Sequence, residues 1–536
     1  MKSYSTILFA ATVAAILSGC AVKEVPAGLS ENETESPRDV TYATFNFAVT
    51  GSTKAPLTSD AAEKDSIKSV RLMIYSHTSA NNGTCEVDTT VLTTGNQTAT
   101  VPLTSGTKRI FVLANEHNKS WRFGNQKGLT LDKLVASKTA SSAGKLFLHE
   151  IDFGRPALSS SPAPLSSLDY SDMTTPYMVF SNSQSDSSSL RIVRPNISSE
   201  ESQSGSDSTK NHFSIDLQRT VAKVTITGYS GGTFSSKWTS SVVKYCGTLD
   251  DLYWGVRNQN RAVALFKNTD ANSKPLVPFH DALAGLDLSE IATYKPFWWS
   301  NGDSSEINIP LKSLSSATPS DYYYVPENVL DEVGNSTYIV VKARFKPQLP
   351  GAQVTSVSFD NTAHIVNAVT YSSTLFPEAY YIDFNSNYDV ENVPGSGRIR
   401  NLPDILKRDS IMLNRTYLDF FKFYQTEDLA KSVVYFLEND GSSDGYTSSY
   451  EPKRHKIYKY ENYICYYRFD ISGNADGGLL RNKQYRGTIT SFGYIGAPCL
   501  EDLDRIQSTP SGSGDTHATA TVQILPWDTV DVELKK

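Results

Sequence analysis

The thiol best placed to do chemistry is Cys20, which closes an apolar run from Ile7 to Leu17 and follows Leu17-Ser18-Gly19. Small residues ahead of a cysteine admit a signal peptidase and leave the thiol to accept a lipid, so the tetrapeptide resembles a bacterial lipobox with Lys2 as its charged leader. The run is shorter than the roughly 20 helical residues that cross a bilayer. Residues 1–19 are therefore expected to be a lipoprotein signal peptide, removed to leave Cys20 as the lipidated first residue. Residue 21 is Ala. It is not the Asp that retains some bacterial lipoproteins at the inner membrane, so the analogy points to the outer membrane. Each buried CH₂ of a lipid chain contributes about 0.8 kcal/mol, and several chains on one cysteine hold a protein firmly without a transmembrane helix.

Other chemistry is weakly supported. Gly228-Tyr229-Ser230-Gly231-Gly232 fits GxSxG, but a nucleophile elbow needs a strand-to-helix turn in an α/β sheet, and a hairpin turn explains this Ser-rich stretch. The eight histidines form no HxH or HExxH pair. Asp440, Asp444 and Asp476 precede or flank glycines as hairpin turns do, without EF-hand spacing. Cys85, Cys246, Cys465 and Cys499 make no CxxC, and their pairing is left open. No catalytic residue, metal or cofactor is expected, and the chain is read as no enzyme. Trp298-Trp299 and Tyr322-Tyr323-Tyr324 could stack on sugar rings, which keeps a monomeric glycan- or host-ligand-binding surface lipoprotein as the alternative. Lys+Arg 50 against Asp+Glu 57 leaves a formal net charge of −7. That is the wrong sign for a nucleic-acid partner held through phosphates.

The elements around these residues read as strands. A chain of 536 residues makes roughly three to four domains at about 150 residues each, or two if they are large all-β units. Tyr 29 and Phe 23 among many Ser and Thr favour strands. Residues 20–39, with five acids around Pro26 and Pro37, lack apolar periodicity and read as a solvated tether. From there Ala43, Phe45, Phe47 and Val49 alternate with polar or small neighbours, the period-two signature of a strand with one buried face. Thr130 to Ala136 suggests a short helix. Ser198 to Thr209 reads as a loop at a boundary, with a second domain opening at Phe213, Ile215 and Leu217. Later strands are expected at Tyr338–Phe345, Tyr380–Phe384, Ser432–Leu437, Tyr463–Ile471 and Tyr485–Phe492. The layout predicts an all-β chain of two β-sandwiches, 40–212 and 213–506. In the tail 507–536, Gln507 to Asp515 is a flexible linker. Beyond it Ala520, Val522 and Ile524 alternate, Leu525-Pro526-Trp527 breaks the run, and Val530, Val532 and Leu534 alternate again. A detached strand pair with an apolar face suggests donor-strand complementation of another molecule's sheet; pairing with its own domain is the alternative.

Five segments in order resemble the Bacteroidales fimbrillins: Phe111-Val112-Leu113-Ala114-Asn115, Arg219-Thr220-Val221-Ala222-Lys223-Val224, Tyr323-Tyr324-Val325-Pro326-Glu327-Asn328, Leu480-Arg481-Asn482 through Tyr485-Arg486-Gly487, and Thr521-Val522-Gln523-Ile524-Leu525-Pro526-Trp527. The last is similar to the terminal strand of minor-fimbria (Mfa-type) subunits. The resemblance implies two tandem transthyretin-like sandwiches in a subunit of a type V pilus, at the cell surface, partnered by copies of itself or related subunits. It also implies a protease that removes the first strand after an Arg or Lys. In this sequence that position falls at Lys54, with Ala55 as the new first residue, so Ala43, Phe45, Phe47 and Val49 would leave with the lipid. The donor residues would be Ala520, Val522, Ile524, Trp527, Val530, Val532 and Leu534. A chain with both a removable strand and a donor tail is expected to be a stalk subunit involved in adhesion, with anchor or tip as alternatives and host or bacterial surface ligands as further partners.

Overall fold

The computed structural model describes residues 40–49, 67–77, 83–92, 98–116, 124–131, 150–152, 177–184, 186–229, 247–257, 259, 262–267, 311–314, 321–328, 337–347, 353–383, 423–453, 455–471, 479–492, 495–500 and 518–526. Cys20, Lys54, Ala55, Trp298-Trp299, Trp527, Val530, Val532 and Leu534 lie outside them, as do the signal, the tether, the linker and nearly all of Thr130 to Ala136.

The chain is all-β. Its first strands are β1 (Val40–Val49), β2 (Ser69–Ser76), β3 (Cys85–Leu92), β4 (Thr98–Thr104), β5 (Gly106–Ala114), the short β6 (Glu150–Asp152), β7 (Phe180–Asn182), β8 (Leu190–Val193) and β9 (His212–Arg219). All except β6 form one sheet in the order β3-β2-β5-β7-β9-β1-β4, with β8 beside β5. The alternation seen in sequence explains the burial: Phe45, Phe47, Phe213, Ile215 and Leu217 enter one core with Leu72, Ile74, Ile110 and Val112. The two edges of this sheet approach each other. Glu86 on β3 accepts from the backbone N–H of Thr104 on β4 at 3.1 Å and from the Nζ of Lys108 on β5 at 2.6 Å.

The rest of the chain supplies β10 (Ala222–Tyr229), β11 (Gly247–Arg257), β12 (Ala262–Ala264), β13 (Lys312–Ser313), β14 (Tyr322–Val325), β15 (Tyr338–Pro347), β16 (Gln353–Asp360), β17 (Ile365–Ser372), β18 (Glu378–Asp383), β19 (Phe423–Tyr424), β20 (Lys456–Glu461), β21 (Ile464–Asp470), β22 (Lys483–Phe492) and β23 (Ala518–Pro526). The sheets β14-β10-β22-β23 and β13-β11-β15-β21 share a second core, in which Val224, Ile226, Tyr485 and Ile489 meet Trp254, Val256, Ile339, Val341 and Tyr467. A third sheet, β17-β16-β19-β18-β20, is buried on two faces. Ala379 and Tyr381 of β18 join the second core, whereas Ile382 joins a separate cluster beneath the helix Glu427–Glu438.

Two expectations are corrected here. The domain boundary does not fall before Phe213: β9 belongs to the first sheet, because its alternating face completes the first core, and the change of core falls between Val221 and Ala222. Ser432–Leu437 is not a strand but the second half of the helix Glu427–Glu438. Thr426 caps it by accepting from the Leu429 N–H at 3.2 Å. Its buried residues Ala430, Val433, Val434 and Leu437 recur at helical spacing, which the compact run of Val433 to Leu437 hides.

Cys85 and Cys465 are free thiols buried in the first and second cores respectively. Burial pushes each up to about 12. Since the thiolate is the nucleophile, neither should be alkylated by iodoacetamide in the native protein at pH 8, and both should be modified once the chain is unfolded. Peptide mass spectrometry reads the difference.

Candidate assembly interface

β1 is an interior strand. It runs antiparallel to β4, pairing Ala43 with Val101 and Phe45 with Ala99, and parallel to β9, pairing Phe45 with Phe213 and Phe47 with Ile215. Ala43, Phe45 and Phe47 are fully buried, with the Phe45 and Phe213 ring centroids 5.6 Å apart. At Val49 only the backbone, paired with Leu217, is described.

The opposite face of β1 is not simply solvated. Thr44 is buried beneath a short helix, Ser199–Ser204, and its hydroxyl lies in a chain of three. Ser202 Oγ donates to Thr44 Oγ1 at 2.8 Å, and Thr44 Oγ1 shares a hydrogen bond with Thr100 Oγ1 at 2.9 Å. Asn211 holds the backbone beside it: its carbonyl accepts from the Thr44 N–H at 2.9 Å and its Nδ2 donates to the Tyr42 carbonyl at 3.0 Å. Thr41 Oγ1 accepts from the Ile197 N–H at 3.0 Å. Sequence reasoning took Ser198 to Thr209 for a loop and missed these residues. The readable signal was Ser198-x-x-Glu201, a capping box that the structure forms.

The strand downstream of β1 in sequence is not its neighbour in space, since β5, β7 and β9 stand between β1 and β2. Lys54 therefore belongs to the connection between two strands that make no ladder with each other. A cut anywhere between Val49 and Ser69 leaves β1 held to the rest of the fold only by ladders and packing.

The tail differs from the expected detached pair. β23 pairs in antiparallel register with β22, setting Ala520, Val522 and Ile524 opposite Ile489, Gly487 and Tyr485. The physical reason is that β22 has β10 on one side only, and its other edge offers unpaired backbone groups that an alternating strand can satisfy. Among the described residues β23 is itself an edge strand with a single ladder.

Three of the five segments that carry the resemblance converge where the two cores meet. Arg219 donates from its guanidinium to Asn482 Oδ1 at 3.2 Å, and the Asn482 N–H donates to the Val221 carbonyl at 3.0 Å. Asn482 has φ 57°, which makes the sharp approach possible. Arg481 Nε donates to Glu327 Oε2 at 2.9 Å, with the side chains only 1% and 3% exposed, and Arg481 reaches the Leu265 carbonyl at 3.3 Å. Asn328 exchanges backbone hydrogen bonds with Leu479. Through these contacts the three segments join the two cores.

Of the residues read as a possible sugar platform, the three tyrosines are half-buried and packed within the fold. Tyr323 packs edge-on against Trp254 at 5.0 Å in the second core, Tyr324 packs on the first core, and the Tyr322 ring faces Lys223 Nζ at 4.4 Å. Asp440, with φ 53°, and Gly441 form the turn that follows the helix. Among the described residues no group of three or more His, Cys, Asp or Glu is placed to hold a metal ion, and no helix is long and apolar enough to cross a membrane.

An all-β chain whose first described strand lies in the interior of its sheet is the class of protein this geometry defines. The family described as major fimbrial subunit protein (FimA) matches residues 43–146, from within β1 to beyond β5. The resemblance to the Bacteroidales fimbrillins carried by the motifs is thus met by a family match over about a fifth of the chain. No curated protein matches the sequence. Among solved structures, a fimbrilin (FimA) from Porphyromonas gingivalis W83 is 11% identical over 92% of this chain and 99% of its own, with a TM-score of 0.39. The C-terminally truncated tip fimbrial protein Mfa3 from Porphyromonas gingivalis is 11% identical over 92% of this chain and 100% of its own, with a TM-score of 0.29.

Proposed function

We propose that the chain is a non-catalytic structural subunit of a cell-surface fimbrium, exported as an outer-membrane lipoprotein on Cys20, cut between Lys54 and Ala55, and polymerised when the C-terminal strand of a second copy replaces β1. The stalk is its place in the fibre, since it has both a strand to lose and a strand to give. The observation that supports this reading is the contrast between two positions in the fold. β1 has a ladder on each side, with β4 and with β9, whereas β23 has one among the described residues, with β22. A strand that leaves an edge for an interior slot gains a second ladder, and each net backbone hydrogen bond is worth about 0.5–1.5 kcal/mol. Exchange is therefore downhill once β1 is gone, and before the cut the slot is filled. The uncut precursor is its own inhibitor.

N-terminal sequencing of surface-extracted protein should read Ala55-Pro56-Leu57, and an unboiled gel should show a ladder that collapses to one band on boiling. A sequence starting at Cys20 throughout would make the chain an anchor; absence of any ladder would leave a monomeric surface lipoprotein.

A further inference from the structure

The donor segment copies the strand it would displace, residue by residue. β1 contains Ala43-Thr44-Phe45-Asn46-Phe47 and β23 contains Ala520-Thr521-Val522-Gln523-Ile524. Small, hydroxyl, apolar, carboxamide and apolar side chains follow in the same order. We propose that the donor strand of a second copy enters between β4 and β9 in one register, with Ala520 to Ile524 in the places of Ala43 to Phe47. Thr521 then takes over the hydroxyl position of Thr44 between Ser202 and Thr100. This rests on the strand-exchange reading above and adds the register and the residue that sets it.

The neighbouring registers fit the slot less well. A slip of one residue turns the apolar set to the wrong face. A slip of two in one direction puts Ala520 where Phe45 fills the core against Phe213, and still seats a threonine, Thr519, at Thr44. A slip of two in the other direction puts Gln523 into the buried seat of Thr44 and Pro526 at Phe47, inside both the sheet and its ladder with β9. In the proposed register Pro526 meets the place of Val49, the last pair of the β9 ladder, where a missing N–H matters least. Thr521 thus provides the polar fit and Val522 and Ile524 the apolar fit, and only one alignment satisfies both. Because Val522 and Ile524 are smaller than Phe45 and Phe47, the copy packs the slot less fully than the original. A free peptide of residues 40–49 should consequently compete with donor strands for cleaved subunits.

The test uses two populations of the full chain, one carrying Thr521→Cys and the other Thr100→Cys, so that any disulfide between them is intermolecular. Thr100 is the partner of Thr44 in the β1–β4 register, while Thr98 and Pro102 are the partners of Asn46 and Tyr42. Co-assembled polymer should give the 521–100 disulfide by peptide mass spectrometry, with Thr98→Cys and Pro102→Cys as slipped controls. Thr521→Val should shorten junction lifetime by about tenfold, the loss of one buried hydrogen bond, and Thr521→Ser should restore it. A disulfide to residue 98 or 102, or none to β4 in a polymer that still needs its tail, overturns the register and leaves strand exchange standing. A polymer that survives deletion of residues 518–536 overturns strand exchange itself.

Discussion

Glu327→Gln should lower the unfolding free energy by about 3–5 kcal/mol, because it leaves the Arg481 guanidinium buried between the cores without its carboxylate. Urea titration followed by tryptophan fluorescence gives the value, with Trp254, fully buried in the second core, among the reporters. Arg481→Met should cost a similar amount, since it strands the carboxylate instead. The pair replaced together, Glu327→Leu with Arg481→Met, should recover most of the loss, as desolvated ion pairs commonly yield to apolar residues of similar volume. If the single variants lose less than about 1 kcal/mol, the range of exposed ion pairs, the pair is wetter than its 1% and 3% exposure implies.

Val522→Asp combined with Ile524→Asp should abolish the heat-sensitive ladder and release monomers. The register with β22 sets them opposite Gly487 and the fully buried Tyr485, and the proposed exchange sets them in the places of the buried Phe45 and Phe47. An unpaired buried carboxylate costs several kcal/mol, more than the strand's remaining contacts offset in either seat. Because β23 is an edge strand, its loss leaves β14, β10 and β22 as a sheet over the second core, so the monomers should keep a cooperative unfolding transition. Aggregated or degraded monomers would instead assign the tail to its own domain's core. Ladders that persist would place assembly on another surface.

Period-two alternation was sufficient to find β1, β9, β15, β21 and β22, since each has one buried face that the sequence must mark. It failed where a second layer covers the other face. Thr44 is polar yet buried, and nothing in the order of residues says that a helix more than 150 positions later will roof it. The helix Glu427–Glu438 was misread for a related reason: it is flanked by strands, and its Val433-Val434-Tyr435-Phe436-Leu437 is made of residues that strands also prefer. The tail's pattern was legible, but its seat was not, because an alternating strand fits any open edge of the right polarity. The boundary error came from treating a fresh run of alternation as a fresh domain, when β9 closes the first core.

That closure has a mechanical meaning. Between β9 and β10 the chain changes cores through Thr220 and Val221, both fully buried, with no loop between the strands and with Arg219, Asn482 and Val221 tied across the change. Tension entering along β9 would pass to β10 with no slack to take up. A strand seated beside β9 and pulled lengthwise loads its ladder in shear, so that many hydrogen bonds must fail together instead of unzipping one at a time. The same two residues that hide the boundary from sequence remove the hinge at which a fibre under load would first give way.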